Sequence, residues 1–343
     1  MRVHLALLLA VAACGDDSGG TNPDAPLGGN GDGGDGSMDV PCSYTEMSDP
    51  GNASSTTPEV TNITFATKAV LCGKVDTGHF DATEQQVDQD IYKLTFAADT
   101  DLIIHFTGAA SGLDELAVQV AQTAARAGYG SWTHDHGALV AHVTAGDWYV
   151  TAGAFKASDA TAAFPYKIVI ETDTPGRCAH LTTGGFTEAG DGTNNVGNDM
   201  IEYDSSADPT KRLTTGSTDT PEATGVLTAP GMQYRLTGTA ANVNASDDYQ
   251  DRDTYEFMTD AATNELSVRL NWDGTTRDFD FLAVPQNSVK LVGAGLDNAT
   301  TADEFETFAV KPSSTYWIWV GAYDGAALPT NYDITVCAST YTP

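Results

Sequence analysis

The chain has 343 residues, a length that favours two domains over one. Its 16 Lys and Arg stand against 47 Asp and Glu, a formal charge of −31, which excludes nucleic acid as a partner and makes anionic lipid headgroups poor ones, while cations suit it. With 41% hydrophobic residues there is still enough apolar material for a substantial core, so the chain is not an acidic disordered tail.

The N-terminus reads as an export segment. Met1-Arg2 leads into an apolar run from Leu5 to Val11, far too short to cross a bilayer as a mature helix. The run ends in Val11-Ala12-Ala13-Cys14, which resembles a bacterial lipobox. The resemblance implies that residues 1–13 are a signal peptide and that Cys14 becomes the acylated N-terminus. It also implies, because Gly15 follows the cysteine, an outer-membrane address with the body on the cell surface or the periplasmic face. Loss of Arg2 would bring the mature charge to −32, from −31 − 1. Residues 14–40 are rich in Gly, Asp, Ser and Asn and cannot offset the entropy of ordering, so they read as a flexible tether. As a Gly-rich coil its reach is about 28 Å. The Gly31-Asp32-Gly33 and Gly34-Asp35-Gly36 runs lack the nonapeptide period of calcium-binding glycine–aspartate repeats.

Beyond the tether come Cys42, Cys72, Cys178 and Cys337, an even number in an exported chain. Four cysteines allow three connectivities. Two lie in the first half of the body and two bracket the second, which favours Cys42–Cys72 and Cys178–Cys337. No pair has the short Cys-x-x-Cys spacing of structural zinc.

The body is one module written twice. Thr45-Glu46-x-x-Asp49-x-x-Asn52 returns as Thr187-Glu188-x-x-Asp191-x-x-Asn194. Asp88-x-Asp90-x-Tyr92 returns as Asp251-x-Asp253-x-Tyr255. Leu113-Asp114-Glu115-Leu116-Ala117-Val118 aligns with Phe279-Asp280-Phe281-Leu282-Ala283-Val284. Gly146 to Phe155 matches Ser314 to Tyr323, and Phe164 to Ile170 matches Leu328 to Val336. Alternation such as Tyr92, Leu94, Phe96 and Leu266, Val268, Leu270 predicts strands. The expected fold is all-β: two tandem antiparallel, jelly-roll-like β-sandwiches at 41–177 and 178–343.

The Asp-x-Asp-x-Tyr strand, the Asp before Leu-Ala-Val and the Trp/Tyr-rich strand before Pro-(x)-(x)-Tyr-x-Ile-x-Val resemble the bacterial pre-peptidase C-terminal domain. That resemblance implies an accessory β-sandwich, in some members a binder of collagen-like or other extracellular polymers. It also implies calcium near the N-terminal segment in some members. No protease domain accompanies the modules here.

The residues offer oxygen ligands for calcium, which takes six to eight of them. The two sets are Glu46, Asp49, Asn52, Asp88, Asp90 and Glu188, Asp191, Asn194, Asp251, Asp253. His134 and His136, with His142 across a turn, form a candidate transition-metal site, against the plainer reading of a polar loop. Asp278 and Asp280 share a strand face, where a cation or turn capping outranks the paired carboxylates of glycoside hydrolysis. Trp317, Trp319 and Tyr323 are candidate ligand-binding aromatics, against the reading as a central core strand; Trp132 and Trp272 could serve a rim. The second copy is longer by about 21 residues, and 195–225 is the expected segment of copy-specific contacts. No zinc-protease helix, nucleophile elbow or phosphate loop occurs, and no histidine follows His180. The function expected is therefore non-catalytic: a monomeric, lipid-anchored envelope protein, calcium-supported, that binds an extracellular polysaccharide or protein. A structural spacer is the alternative, and a hydrolase with an unrecognised site is the third reading.

Overall fold

Tyr92, Leu94 and Phe96 are buried while Thr95 between them is exposed, an alternation repeated in the strands Glu59–Phe65 and Glu222–Thr228, whereas strands such as Asp278–Pro285 are buried on both faces. The computed structural model describes residues 40–47, 58–75, 86–108, 116–122, 125–131, 136–155, 164–174, 176–188, 202–203, 213–214, 221–240, 249–273, 278–286, 292–295, 303–323 and 330–342. Cys14, the leader and nearly all of the tether lie outside them. Among the described residues every regular element is a strand, and there is no helix long and apolar enough to cross a membrane.

The first copy holds β1 (Tyr44–Thr45), β2 (Glu59–Phe65), β3 (Lys68–Val75), β4 (Gln86–Phe96), β5 (Thr100–Gly108), β6 (Leu116–Gln122), β7 (Ala125–Ser131), β8 (Gly137–Val143), β9 (Gly146–Phe155) and β10 (Phe164–Thr172). They form two five-stranded sheets, ordered β1-β3-β10-β5-β8 and β2-β4-β9-β6-β7. The second copy holds β11 (Phe186–Thr187), β12 (Glu202–Tyr203), β13 (Leu213–Thr214), β14 (Glu222–Thr228), β15 (Gln233–Ala240), β16 (Tyr249–Thr259), β17 (Glu265–Trp272), β18 (Asp278–Pro285), β19 (Gly293–Gly295), β20 (Glu304–Ala309), β21 (Thr315–Tyr323) and β22 (Thr330–Ser339). Its sheets run β11-β15-β22-β17-β20 and β14-β16-β21-β18-β19. Position for position the orders are the same. β12 and β13 are extra and pair only with each other.

The sheets are mixed rather than purely antiparallel. β1 pairs parallel with β3 and β2 with β4, and β11–β15 and β14–β16 repeat this in the second copy. Each parallel strand sits at a sheet edge, where a connection that does not turn straight back can lay it. Two separate apolar cores fill the sandwiches: Leu71, Ile104, Val118, Val150 and Ile168 in the first, Leu236, Phe257, Val268, Phe281 and Ile334 in the second. Each such side chain, fully buried, stabilises by about 1.5–3 kcal/mol. Cys42–Cys72 and Cys178–Cys337 are the disulfides, as their placement in the two halves favours.

One repeat alignment shifts. The sequence sets Leu116 against Leu282, but Leu116 faces Ala154 of β9 whereas Phe279 faces the equivalent Ala322 of β21. Leu116 thus corresponds to Phe279, three residues earlier. An odd shift turns each residue to the opposite face of a strand, so the Leu-Ala-Val likeness is a local coincidence and core-facing Leu116, Val118 and Val120 match Phe279, Phe281 and Ala283.

Candidate functional site

Glu46 and Glu188, the first members of the two acidic sets, lie where the N-terminal segment of each copy meets a sheet. β1 brings Glu46 to β3, and Glu46 Oε2 accepts the Lys74 backbone N–H at 2.9 Å. β11 does the same for Glu188, which accepts from Thr239 N at 2.8 Å. Asp90 is buried and accepts from the Tyr166 hydroxyl at 2.5 Å, and that hydroxyl lies 2.5 Å from the hydroxyl of Tyr92. Asp253 repeats the arrangement with Tyr332 and Tyr255. Burial first, and then the neighbouring carboxylate, push the hydroxyl pKa of all four tyrosines up, so they remain donors. Gly73 and Gly238 leave the space: a Cβ there would stand 2.3 Å from Tyr166 Oη and 2.2 Å from Tyr332 Oη respectively. Asp90 and Asp253 are therefore anchors of an internal hydrogen-bond network, a role the sequence did not assign them. Asp49, Asn52, Asp191 and Asn194 lie outside the described residues, and of Asp88 and Asp251 only the backbone, in β4 and β16, is described.

A different acidic set converges. Asp278 and Asp280 of β18 and Glu304 of β20 bring one carboxylate oxygen each within 4.8 Å of one another. All three are nearly or fully buried, at 9%, 6% and 2% exposure. This cluster could hold a metal ion, and its oxygen-only donors suit a hard cation. The strand-face pairing of Asp278 with Asp280 was legible from their spacing; Glu304 was not, because it arrives from the other sheet.

His142 does not join His136 as the expected site requires. His142 sits at the far end of β8 from His136, about 20 Å along an extended strand rather than across a turn. It is exposed and hydrogen-bonded to Asp101 at 2.7 Å. His136 is buried, its ring centroid 5.2 Å from that of Tyr341. His134 and His79 lie outside the described residues. His105 takes part in the junction between the copies: its Nε2 lies 2.7 Å from Glu265 Oε2, and its ring stacks on Tyr341 at 3.7 Å. Glu306 Oε1 accepts the Val140 N–H across the same boundary at 2.8 Å.

The aromatic platform is also corrected. Trp317 and Trp319 do share a strand face, but they are 2% and 0% exposed. β21 is the central strand of its sheet, with β16 and β18 on either side, and Leu282 and Val284 lie beside the two indoles. Trp317 Nε1 donates to Glu256 at 3.1 Å. The side chain of Tyr323 and the whole of Trp132 lie outside the described residues.

Trp272, which packs on Phe279, borders a groove on the second sandwich. A cavity of about 750 Å³ lies against the outer face of the β11-β15-β22-β17-β20 sheet, walled by His180 from the segment joining the copies. Arg235 Nη2 lies 3.2 Å from Asp333 Oδ2, and His180 Nδ1 lies 3.0 Å from Asp333 Oδ1 and 2.9 Å from Asn271 Nδ2. Asn331 Nδ2 donates to Asp273 at 3.2 Å while its Oδ1 accepts from Thr239 Oγ1 at 3.0 Å. The expected insertion, 195–225, contributes β12 and β13, but its last four residues belong to β14, the counterpart of β2 and so part of the shared scaffold.

No protein-family model and no curated protein matches the chain. Solved structures do. One is the pre-peptidase C-terminal domain of a collagenase from Bacillus anthracis, at 16% identity and a TM-score of 0.24, covering 35% of this chain and 99% of that one. The chain is a structural neighbour of the pre-peptidase C-terminal domain. Another is PliG of Aeromonas hydrophila, a periplasmic inhibitor of g-type lysozyme, at 15% identity and a TM-score of 0.22, covering 33% of this chain and 97% of that one. The CUB1-EGF-CUB2 domain of human MASP-1/3 matches at 9% identity and a TM-score of 0.18, over 78% of this chain and 99% of that one. At these identities the likeness is one of fold alone.

Proposed function

We propose that the protein is a non-catalytic binding protein of a bacterial envelope, held at the outer membrane by lipid on Cys14, whose sandwiches recognise an extracellular polymer. The observation that carries this reading is the groove on the second sandwich. It is a cleft whose lining residues include His180, Arg235, Asn271, Asn331 and Asp333, hydrogen-bonding groups of the kind that orient a ligand. Its test is co-sedimentation of the full chain with insoluble polysaccharides and fibrous proteins. Retention by at least one supports the reading, and recovery in the supernatant with all of them overturns it. In fractionated cells Cys14→Ser should leave the membrane fraction.

Calcium is the cation that fits Asp278, Asp280 and Glu304. Transition metals favour imidazole or thiolate, whereas three carboxylates offer up to six hard oxygens, within the range calcium takes. Calcium at a hundredfold excess over its dissociation constant stabilises the folded state by about 2.7 kcal/mol. The melting temperature should therefore rise with calcium and fall with chelator, and Asp280→Asn should abolish the difference. An unchanged transition removes calcium from the account. A rigid spacer without ligand is the second reading, favoured by the buried His105–Glu265 contact that fixes one sandwich to the other.

A further inference from the structure

The second sandwich carries an apolar outer face that the first lacks. Tyr92 pairs with Glu59 and Val150 as Tyr255 pairs with Glu222 and Ile318, which sets the equivalences between the β2-β4-β9-β6-β7 and β14-β16-β21-β18-β19 sheets. On the outward side, Leu227, Met258, Trp317, Trp319, Leu282 and Val284 stand where the first copy has Thr64, Thr95, Tyr149, Thr151, Gln119 and Ala121. All six of the first copy's residues are exposed or half-buried, as befits a sheet face turned to water. In the second copy Leu227 and Met258, at one end, are exposed, but Trp317, Trp319, Leu282 and Val284 are at most 2% exposed. None of those four belongs to the core between the sheets. The first copy docks on the other sheet, through Glu265 of β17 and Glu306 of β20. The described strands packed most closely on this sheet, β15, β17 and β20, belong to the opposing sheet and cover its inward side.

The segment that lengthens the second copy supplies a cover of the right size in the right place. Between β11 and β14 lie 34 residues, against 13 between β1 and β2. That connection delivers the chain to β14, the edge strand of this same sheet. Within it β12 and β13 pair with each other and with no other described strand, and a lone two-stranded ribbon is marginally stable at best in water. The ribbon needs a surface to pack on. Tyr203 and Leu213 are paired directly across it, which places both on one face, with Glu202 and Thr214 on the other. Apart from Val196, the larger apolar residues of 189–221 (Met200, Ile201, Tyr203 and Leu213) fall in these strands or directly before them. Reach is no obstacle. Seven residues separate β13 from β14 and can span roughly 25 Å, whereas Trp319 on β21 lies two strand spacings from β14, about 10 Å.

We infer that the β12–β13 ribbon packs across this face, its Tyr203–Leu213 side against Trp317, Trp319, Leu282 and Val284. The aromatic row is a docking surface whose occupant is a segment of its own chain. Two apolar faces, each particular to the second copy, remove one another from water. The inference is independent of the groove, which lies on the opposite sheet. The first experiment is photo-crosslinking of the full chain with p-benzoylphenylalanine in place of Leu213, followed by peptide mapping. Capture of peptides from β18 or β21 is expected; capture of another segment, or none, overturns the inference. The second is hydroxyl-radical footprinting of the parent protein and Leu213→Asp, which sets a charge in the contact without touching either core. Trp317 and Trp319 should become severalfold more reactive, while Tyr149, which holds the place of Trp317 in the first copy, stays unchanged. Indole reactivity equal to the parent's overturns the inference as well. If Phe281 of the core reacts together with the indoles, the sandwich itself has opened and the cross-link alone decides.

Discussion

Val70, Ile103, His105, Ala138, Val140 and Val169 point outward from the first sandwich, away from its core, and yet all are buried. The equivalent sheet of the second sandwich points Arg235, Asn271, Asn331 and Asp333 outward, and there the groove lies. One face became a docking surface, reached by Glu265, Tyr341 and Glu306 of the second copy. The other stayed polar, open at the groove but buried beside it at Ser267, Thr307 and Thr335. The difference teaches where a duplicated module is free to change. Inward positions answer to the core they fill, whereas outward ones answer only to what lies outside.

Breaking the docking face should have the largest effect. His105→Ala leaves the Glu265 carboxylate buried without its imidazole partner, and removing one member of a buried pair costs about 3–5 kcal/mol. Arg177 at 3.6 Å and Ser339 at 2.8 Å still serve Glu265, which places the loss toward the lower end of that range. Calorimetry should then show the two sandwiches unfolding in separate transitions. A His105→Ala/Glu265→Ala double variant should recover part of the loss, the coupling that a double-mutant cycle isolates. A single variant that melts like the parent protein would show that the junction does not join the copies.

The inward positions sharpen the comparison from the other side. Gly73→Ala and Gly238→Ala each push a methyl group against a buried tyrosine hydroxyl, so each should destabilise by about 1–3 kcal/mol. The two losses should be similar, because the Asp–Tyr–Tyr network is the same in both copies. Chemical denaturation of the two variants checks this. A large cost in one copy and none in the other would mean that the cores have diverged along with the faces.

The same distinction explains what could be read from the sequence. Strand alternation, duplication and the overall sandwich architecture follow from inward residues, which repeat with a fixed period and were legible, and the two disulfides were legible from the placement of their cysteines in the two halves. The parallel edge strands were not, since pairing direction depends on how a connection travels and not on alternation. Trp317 and Trp319 misled because a central strand carries apolar residues on both faces, and spacing alone cannot tell a covered face from an open one. Asp278 and Asp280 were visible as a pair, but Glu304 lies in the other sheet and joins them only in space. The groove is spread over β15, β17 and β22, with one visible marker, Trp272. The strand register that sets Asp333 between Thr237 and Asn271, with Arg235 two residues along, exists only once the sheet is formed.

Acid gives the smallest and most specific test of the docked face. Burial works to raise the Glu265 pKa, but the hydrogen bond and charge of His105, then Ser339 and Arg177, outweigh it and hold the carboxyl below its ordinary value of 4.5. A carboxyl whose pKa is depressed by folding contributes stability above its unfolded pKa and loses it as the pH falls through the folded one. The contribution is therefore complete above about pH 4.5 and declines below it, by at most about 1.4 kcal/mol per pH unit for one proton. Other carboxylates titrate in the same window, so the measurement is the difference between the parent protein and Glu265→Gln. The parent's melting temperature should fall faster than the variant's between pH 4.5 and pH 3, and the two should run parallel above pH 5. Parallel curves across the whole range would mean that Glu265 gains nothing from His105, and the docked face would lose the electrostatic contact that sets it apart from the open one.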